Sequence, residues 1–317
     1  MRTPRPWILP TSPTPRATLL ATGVTDEMIR TQLASGHLKH LRHGVLLNAA
    51  CWPEDPAAQH LVLARAEQTS NPSAVLSHHT AALVWGLPTP GFGEWYDEPP
   101  CVTLPPGSNH RRRPGVMVHT STLRPGDITR DALGCCVTSV ARTAVDCADR
   151  LALPEALVIL DAAGRLLVES WMTQPRREAF ANPRFVRAVR EALCSAAQPR
   201  PLSRLRATIE KVEPCRESPA ESLTAGHLYE SGLPMPTFQA AIPSPVGTLY
   251  PDCYWPGSRL IGECDGAVKY ADQASIVKEK QREQWFRDEG FGVVRWLGRE
   301  IFVQPRLVMA RIAAALG

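Results

Sequence analysis

Two acidic residues separated by one position, Glu263 and Asp265, close the otherwise apolar run Leu260-Ile261-Gly262-Glu263-Cys264-Asp265. Strand side chains alternate, so Ile261, Glu263 and Asp265 share one face while Leu260, Gly262 and Cys264 share the other. Two like charges side by side on a buried-looking strand repel each other, which is explained if they hold a cation or face water. The run reads as the return arm of a hairpin: residues 249–254 lead in, Trp255-Pro256-Gly257-Ser258 turns, and residues 259–265 return. Asp252 on the first arm is then placed to meet Glu263 across the pair. Hard carboxylate oxygens suit Mg²⁺ or Mn²⁺, and such an ion acidifies a bound water and neutralises charge on an attacked phosphate.

The flanking segments set this hairpin in an αβββαβα order. Glu221 lies in the first turn of a helix that starts at Ser218-Pro219 and ends at Ser231-Gly232. A strand follows over 238–242, then the hairpin, a helix over 273–289 carrying Lys278, Lys280, Arg282 and Arg287, a strand over 292–296 and a last helix over 305–316. That order, with Asp252…Glu263-Cys264-Asp265, resembles the PD-(D/E)xK superfamily. The closest likeness is to its Vsr-like DUF559 branch, which often reads E-x-D-G, then V-K-Y, then E-K-x-R-E. This chain has Glu263-Cys264-Asp265-Gly266, Val268-Lys269-Tyr270 and Glu279-Lys280-Gln281-Arg282-Glu283, and the resemblance covers residues 216 to 302. It implies Asp252 and Glu263 as principal metal ligands, Asp265 beside them and Glu221 as a supporting carboxylate. Lys269 or Lys280 would hold the phosphate or polarise the water, and Arg282 would contact DNA. The chain departs from the superfamily at Asp265, where a lysine is usual. Active nuclease and non-catalytic binding domain therefore both stay open.

At 317 residues the chain is long enough for two or three small cores. Residues 1–15 form a loose lead-in. Over 16–55, helix, turn, helix and hairpin follow the order of a winged helix-turn-helix, with Thr25 as N-cap of the second helix and Asp26 and Glu27 at the favourable end of its dipole. That helix would offer Arg30, Thr31 and Gln32 to a groove, with Arg42 and His43 on the wing; the alternative is a small helical cap. A mixed α/β middle region is expected over 56–175 and a helical linker over 176–215. Arg111, Arg112 and Arg113 make the densest basic cluster, either a phosphate contact or a solvated hairpin tip. The ordered series Gly23-Val24-Thr25, Arg42-His43-Gly44-Val45, Ser77-His78-His79-Thr80-Ala81-Ala82 and Ala141-Arg142-Thr143-Ala144-Val145-Asp146 resembles actinobacterial proteins with an AbiEi-type antitoxin N-terminal region. The likeness spans residues 16 to 170 and implies a defence or toxin–antitoxin setting, with a cognate toxin or a second copy as partner.

The expected fold class is thus α+β multidomain: an N-terminal winged helix-turn-helix, an α/β middle region and a C-terminal restriction-endonuclease-like α/β domain over 216–317. The expected partner is double-stranded DNA, with Mg²⁺ or Mn²⁺ as cofactor if the protein cleaves, and a transcriptional repressor as the alternative. The net charge of +4 permits a polyanionic partner without requiring one. Nine cysteines lack the paired spacing of a zinc knuckle and read as small buried residues of a reducing compartment. His78 and His79 have no cysteine or carboxylate at ligand spacing and read as capping or packing residues. No Gly-rich phosphate loop or nucleophile elbow occurs, and no apolar run suits a signal peptide or membrane span, so the expected location is cytoplasmic.

Overall fold

The computed structural model describes residues 7–108, 114–197, 203–245, 247–266 and 273–317, with the side chains of 273–280 outside the described set. The chain is α+β and forms two compact units, Met1–Gly86 with Gly93–Thr143, and Leu87–Phe92 with Ala144–Gly317. Among the described residues no helix is long and apolar enough to cross a membrane.

The first unit opens with β1 (Thr14–Pro15), α1 (Arg16–Ala21), α2 (Asp26–Ala34), β2 (Leu38–Arg42) and β3 (Val45–Asn48). Thr25 Oγ1 accepts from the Met28 amide at 3.3 Å, so the cap forms where the sequence places it. The strands pair antiparallel in the order β1-β3-β2, over a small core of Leu19, Val24, Ile29, Leu38 and Leu46. Then come α3 (Pro56–Ser70), β4 (Val75–Leu76), α4 (His78–Trp85), β5 (Cys101–Leu104), β6 (Met117–Thr120), β7 (Ile128–Arg130) and β8 (Cys136–Thr138). Their sheet has the order β6-β5-β4-β8-β7, and Ala64, Leu76, Ala81, Val102, Leu104 and Val137 fill its core. The residue 55/56 boundary does not separate two bodies, because α3 packs on β1, β2 and β3 as well as on β4 and α4. Arg42 of β2 is ion-paired with the buried Glu67 of α3.

The division between units falls inside α5 (Val140–Ala148) rather than at residue 175. The second unit contains α6 (Leu153–Trp171), α7 (Arg177–Phe180), α8 (Pro183–Ala196), α9 (Ser203–Ile209) and α10 (Pro219–Ser231). These are followed by β9 (Thr237–Phe238), β10 (Ile242–Ser244), β11 (Gly247–Leu249), β12 (Cys253–Trp255), β13 (Leu260–Asp265), α11 (Gln273–Asp288), β14 (Gly292–Leu297), α12 (Gly298–Val303) and α13 (Pro305–Leu316). α6 belongs here because it packs closely on α10: a Cβ at Gly226 would lie 2.3 Å from Pro154 Cα. Deeper along α6, Asp161 pairs with Arg216 at 2.7 Å, both side chains sealed from solvent.

The main sheet of this unit has the order β14-β13-β12-β9, with β13 and β14 parallel and the other pairs antiparallel. Gly262 must be glycine, since a Cβ there would sit 2.8 Å from Trp255 and 2.9 Å from Trp296. Trp296 Nε1 in turn donates to Thr224 Oγ1 of α10 at 3.1 Å, so this face of the sheet is the packed one. The expected strand over 238–242 is split between two sheets, because Gln239 takes a positive φ of 52° and breaks the run. The expected arm over 249–254 is split likewise: Leu249 pairs with Ile242, and only Cys253–Trp255 pairs with β13.

Removing one member of a buried ion pair strands its partner. Asp161→Ala should therefore lower stability by about 3–5 kcal/mol, read from urea unfolding followed by tryptophan fluorescence. A loss under about 1 kcal/mol, the range of an exposed pair, would show that Arg216 does not depend on it.

Candidate metal-binding site in the C-terminal unit

Strand register builds the site. Phe238, Cys253, Gly262 and Val294 face each other along the ladder from β9 to β14. The next position on each strand points to the opposite face, which aligns Gln239, Asp252, Glu263 and Arg295 in one row across the sheet. Ser218 caps α10, its hydroxyl accepting from the Glu221 amide at 3.2 Å and donating to Glu221 Oε1 at 2.8 Å. That cap aims the Glu221 carboxylate back at the row.

Gln239 ties the acids together. Its Nε2 donates to Glu221 Oε2 at 3.0 Å and to Asp252 Oδ1 at 3.1 Å, while its Oε1 accepts from Arg177 Nη2 at 2.8 Å. The amide of Cys264 donates to Asp252 Oδ2 at 2.8 Å. Arg282 Nη2 reaches Glu263 Oε1 at 2.6 Å and the Tyr250 carbonyl at 3.2 Å. Asp265, at the strand end, lies 3.5 Å from Arg295 Nη1. A cleft of about 1110 Å³ opens beside the row and is lined by Glu263, Asp265, Gln281, Arg282, Trp285 and Arg295 among others.

Burial dominates the electrostatics of the row. Burial pushes the Glu221 carboxyl up to about 7, and the nearby Asp252 adds to the shift. Burial pushes Glu263 to about 7 as well, although Arg282 pulls the other way. Asp252 is also raised, again by burial, against the hydrogen bonds from Cys264 and Gln239. Carboxyls in this state want either a proton or a cation. Their oxygens keep further lone pairs beyond the bonds above, and oxygen donors of this kind are the type that Mg²⁺ or Mn²⁺ takes.

Of the other expected site residues, Lys269 and Arg111, Arg112 and Arg113 lie outside the described residues, as does the side chain of Lys280. In the N-terminal unit Arg30 and Thr31 are exposed on α2, and Gln32 is half-buried with Oε1 3.2 Å from His37 Nδ1. Thr31 Oγ1 turns back to donate to the Glu27 carbonyl at 2.9 Å. His43 is exposed at the hairpin tip, whereas Arg42 is turned inward onto Glu67 and is committed there rather than offered to a groove. The residues not foreseen are Gln239, Arg177 and Arg295. Arg295 was within reach of the pattern, since a parallel partner strand puts it in register with Glu263. Gln239 and Arg177 carry no signal in a local motif.

No family model matches the chain. It is similar to two uncharacterized proteins from two strains of Mycobacterium tuberculosis, each 28% identical over 244 residues, which cover 77% of this chain and 81% of theirs.

An ion held by Asp252 and Glu263 would have to displace the proton that Glu263 keeps up to about pH 7. Below that pH this one group costs about tenfold in apparent affinity per unit. MgCl₂ should accordingly raise the melting temperature of the full chain more at pH 8 than at pH 6, and should lose this effect in Glu263→Gln. Equal shifts at both pH values would mean that the ion binds elsewhere.

Proposed function

We propose that the protein binds double-stranded DNA and that its C-terminal unit, read as restriction-endonuclease-like, is a divalent-metal-dependent deoxyribonuclease. The observation that carries this reading is the convergence of Glu221, Asp252 and Glu263 beside a cleft whose lining includes Arg282 and Arg295. When bound, Mg²⁺ would neutralise charge on the phosphodiester and acidify a water. Asp252 and Glu263 would hold the ion, with Gln239 fixing the orientation of Asp252. Glu221, with its carboxyl near 7, is able to take up and release a proton at neutral pH. Arg282 and Arg295 would grip phosphate oxygens in the cleft, a task suited to a planar guanidinium. Lys269 and Lys280 are further candidates for that grip.

On the same reading residues 16–55 form a winged helix-turn-helix that presents Arg30, Thr31 and Gln32 to a groove, with His43 on the wing. The resemblances of both halves favour a defence or toxin–antitoxin setting, with a cognate toxin or a second copy as partner. One observation favours a second reading, an antitoxin-like repressor without cleavage. Glu263 is already bonded to Arg282, and Asp265 stands where the superfamily carries its lysine.

The readings separate on plasmid DNA. A nuclease should nick it with Mg²⁺ or Mn²⁺, stop in EDTA, and lose at least about 100-fold in rate in Asp252→Ala or Glu263→Ala while gel-shift affinity stays within about twofold. Absence of nicking with either metal, alongside binding to its own promoter, would establish the repressor instead. On either reading Arg30→Ala should weaken DNA binding by about 1–3 kcal/mol; an unchanged affinity would remove α2 as the reader.

A further inference from the structure

A second cluster, unused by the reading above, lies in the N-terminal unit. β5 and β6 run parallel with Cys101 opposite Met117 and Thr103 opposite His119, so Cys101, Thr103 and His119 point to one face of the sheet. α4 begins directly beyond β4, and its first residue, His78, stacks on His119 with ring centroids 3.7 Å apart and planes 17° apart. One ligand atom from each of His78, Cys101 and His119 lies within 4.8 Å of those from the other two. We propose that these three side chains form a binding site for one thiol-seeking divalent ion of the zinc class.

The donor set decides the class. One thiolate and two imidazoles suit Zn²⁺ and repel the preferences of Mg²⁺ or Ca²⁺, which take oxygen. Three protein ligands leave a fourth tetrahedral position for water or another group. Bond lengths of about 2.3 Å to sulfur and about 2.0–2.1 Å to nitrogen set the ligand atoms about 3.3–3.7 Å apart. The three atoms lie within 4.8 Å of one another and both imidazoles are partly exposed, so binding an ion asks for at most about an ångström of closure, with the stacked rings turning apart.

Two features around the cluster point the same way. His78 holds a left-handed φ of 50°, an unfavourable conformation for a residue with a Cβ, and this backbone turn carries its ring over the sheet face rather than along α4. Ser77 touches two of the three potential ligands: its Oγ lies 3.1 Å from His78 Nδ1 and 3.8 Å from Cys101 Sγ, and it accepts from Thr103 Oγ1 at 2.8 Å. Donation from Nδ1–H to Ser77 would leave Nε2 as the coordinating nitrogen, while the serine hydroxyl supports the sulfur. Outer partners of this kind orient metal-bound histidines. The three ligands come from separate segments, which is why spacing in the sequence hides them.

The test uses Co²⁺ as a zinc probe on the full chain after EDTA treatment and desalting. One equivalent should produce a thiolate-to-cobalt charge-transfer band that Zn²⁺ abolishes. The carboxylate site, having only oxygen donors, contributes no such band. Cys101→Ala should remove it, His119→Gln should weaken binding by more than 100-fold with unchanged far-ultraviolet circular dichroism, and Ser77→Ala should weaken it by about 10–100-fold. A chain that gives no band, a band that survives Cys101→Ala, or undiminished binding in a folded His119→Gln overturns the site. The histidine variant retains the buried thiol, so the proposal stays open to refutation even if Cys101→Ala fails to fold.

Discussion

Asp161 and Arg216 are both shut away from solvent, and the C-terminal unit is arranged around that fact. A charge removed from water costs several kcal/mol unless its partner and its hydrogen bonds are well placed, so the segment bearing Arg216 has little freedom. Asp161 Oδ1 accepts from the Glu213 amide at 2.8 Å while Oδ2 takes Arg216 Nη1 at 2.7 Å. Arg216 Nη2 closes the turn on the Lys211 carbonyl, and the guanidinium lies 4.4 Å from the Phe238 ring centre. α6, the turn before α10 and the first strand of the sheet are thereby fastened at one point. Ser218, two residues on, caps α10, and Glu221 follows in its first turn. The position of that acid is inherited from an ion pair that lies outside the carboxylate row.

The acids themselves are a liability that the fold accepts. Glu221 and Glu263 titrate near 7 in the folded chain and near their ordinary value when unfolded. Between those limits the folded state holds more protons than the unfolded one, so their contribution to stability declines as pH rises through that window. A protein with no use for these groups would gain by replacing them with apolar side chains. Instead Gln239 adopts a strained backbone angle to bridge two of them, and Arg177 is spent on orienting Gln239. On the proposed reading a bound cation would offset this buried like charge.

How much of this was legible follows from which forces are local. α2 with its Thr25 cap, the strand Cys101–Leu104, the return strand to Asp265 and the last helix Pro305–Leu316 each follow from period, caps and turn residues. Asp252 lies one position before the paired strand β12, and the register of Cys253 with Gly262 brings it level with Glu263. The unit boundary was not legible, because it depends on α6 meeting α10 at Gly226 and on Asp161 finding Arg216, contacts that no local pattern encodes. Gln239 was hidden for a related reason: its neighbours read as a continuous strand, and only the finished sheet shows the break. Arg42 looked like a wing residue by its place in a basic turn. Its partner Glu67 arrives from a helix placed in a different region by the sequence pattern.

On the proposed nuclease reading, the lysine expected at position 265 gives way to arginines from other elements. Parallel pairing sets Arg295 of β14 directly beside Glu263, and α11 brings Arg282 onto the same carboxylate, so positive charge enters from neighbouring elements rather than from position 265. The exchange is not neutral chemically. A guanidinium stays protonated at any physiological pH and cannot serve as a base, whereas it binds phosphate oxygens in pairs better than an amine does. If this unit cleaves DNA, charge neutralisation can pass to the arginines, but proton transfer cannot. That duty falls to a carboxyl poised near neutrality, and Glu221, held by Ser218 and Gln239 away from the arginine bonded to Glu263, is the group whose environment fits it.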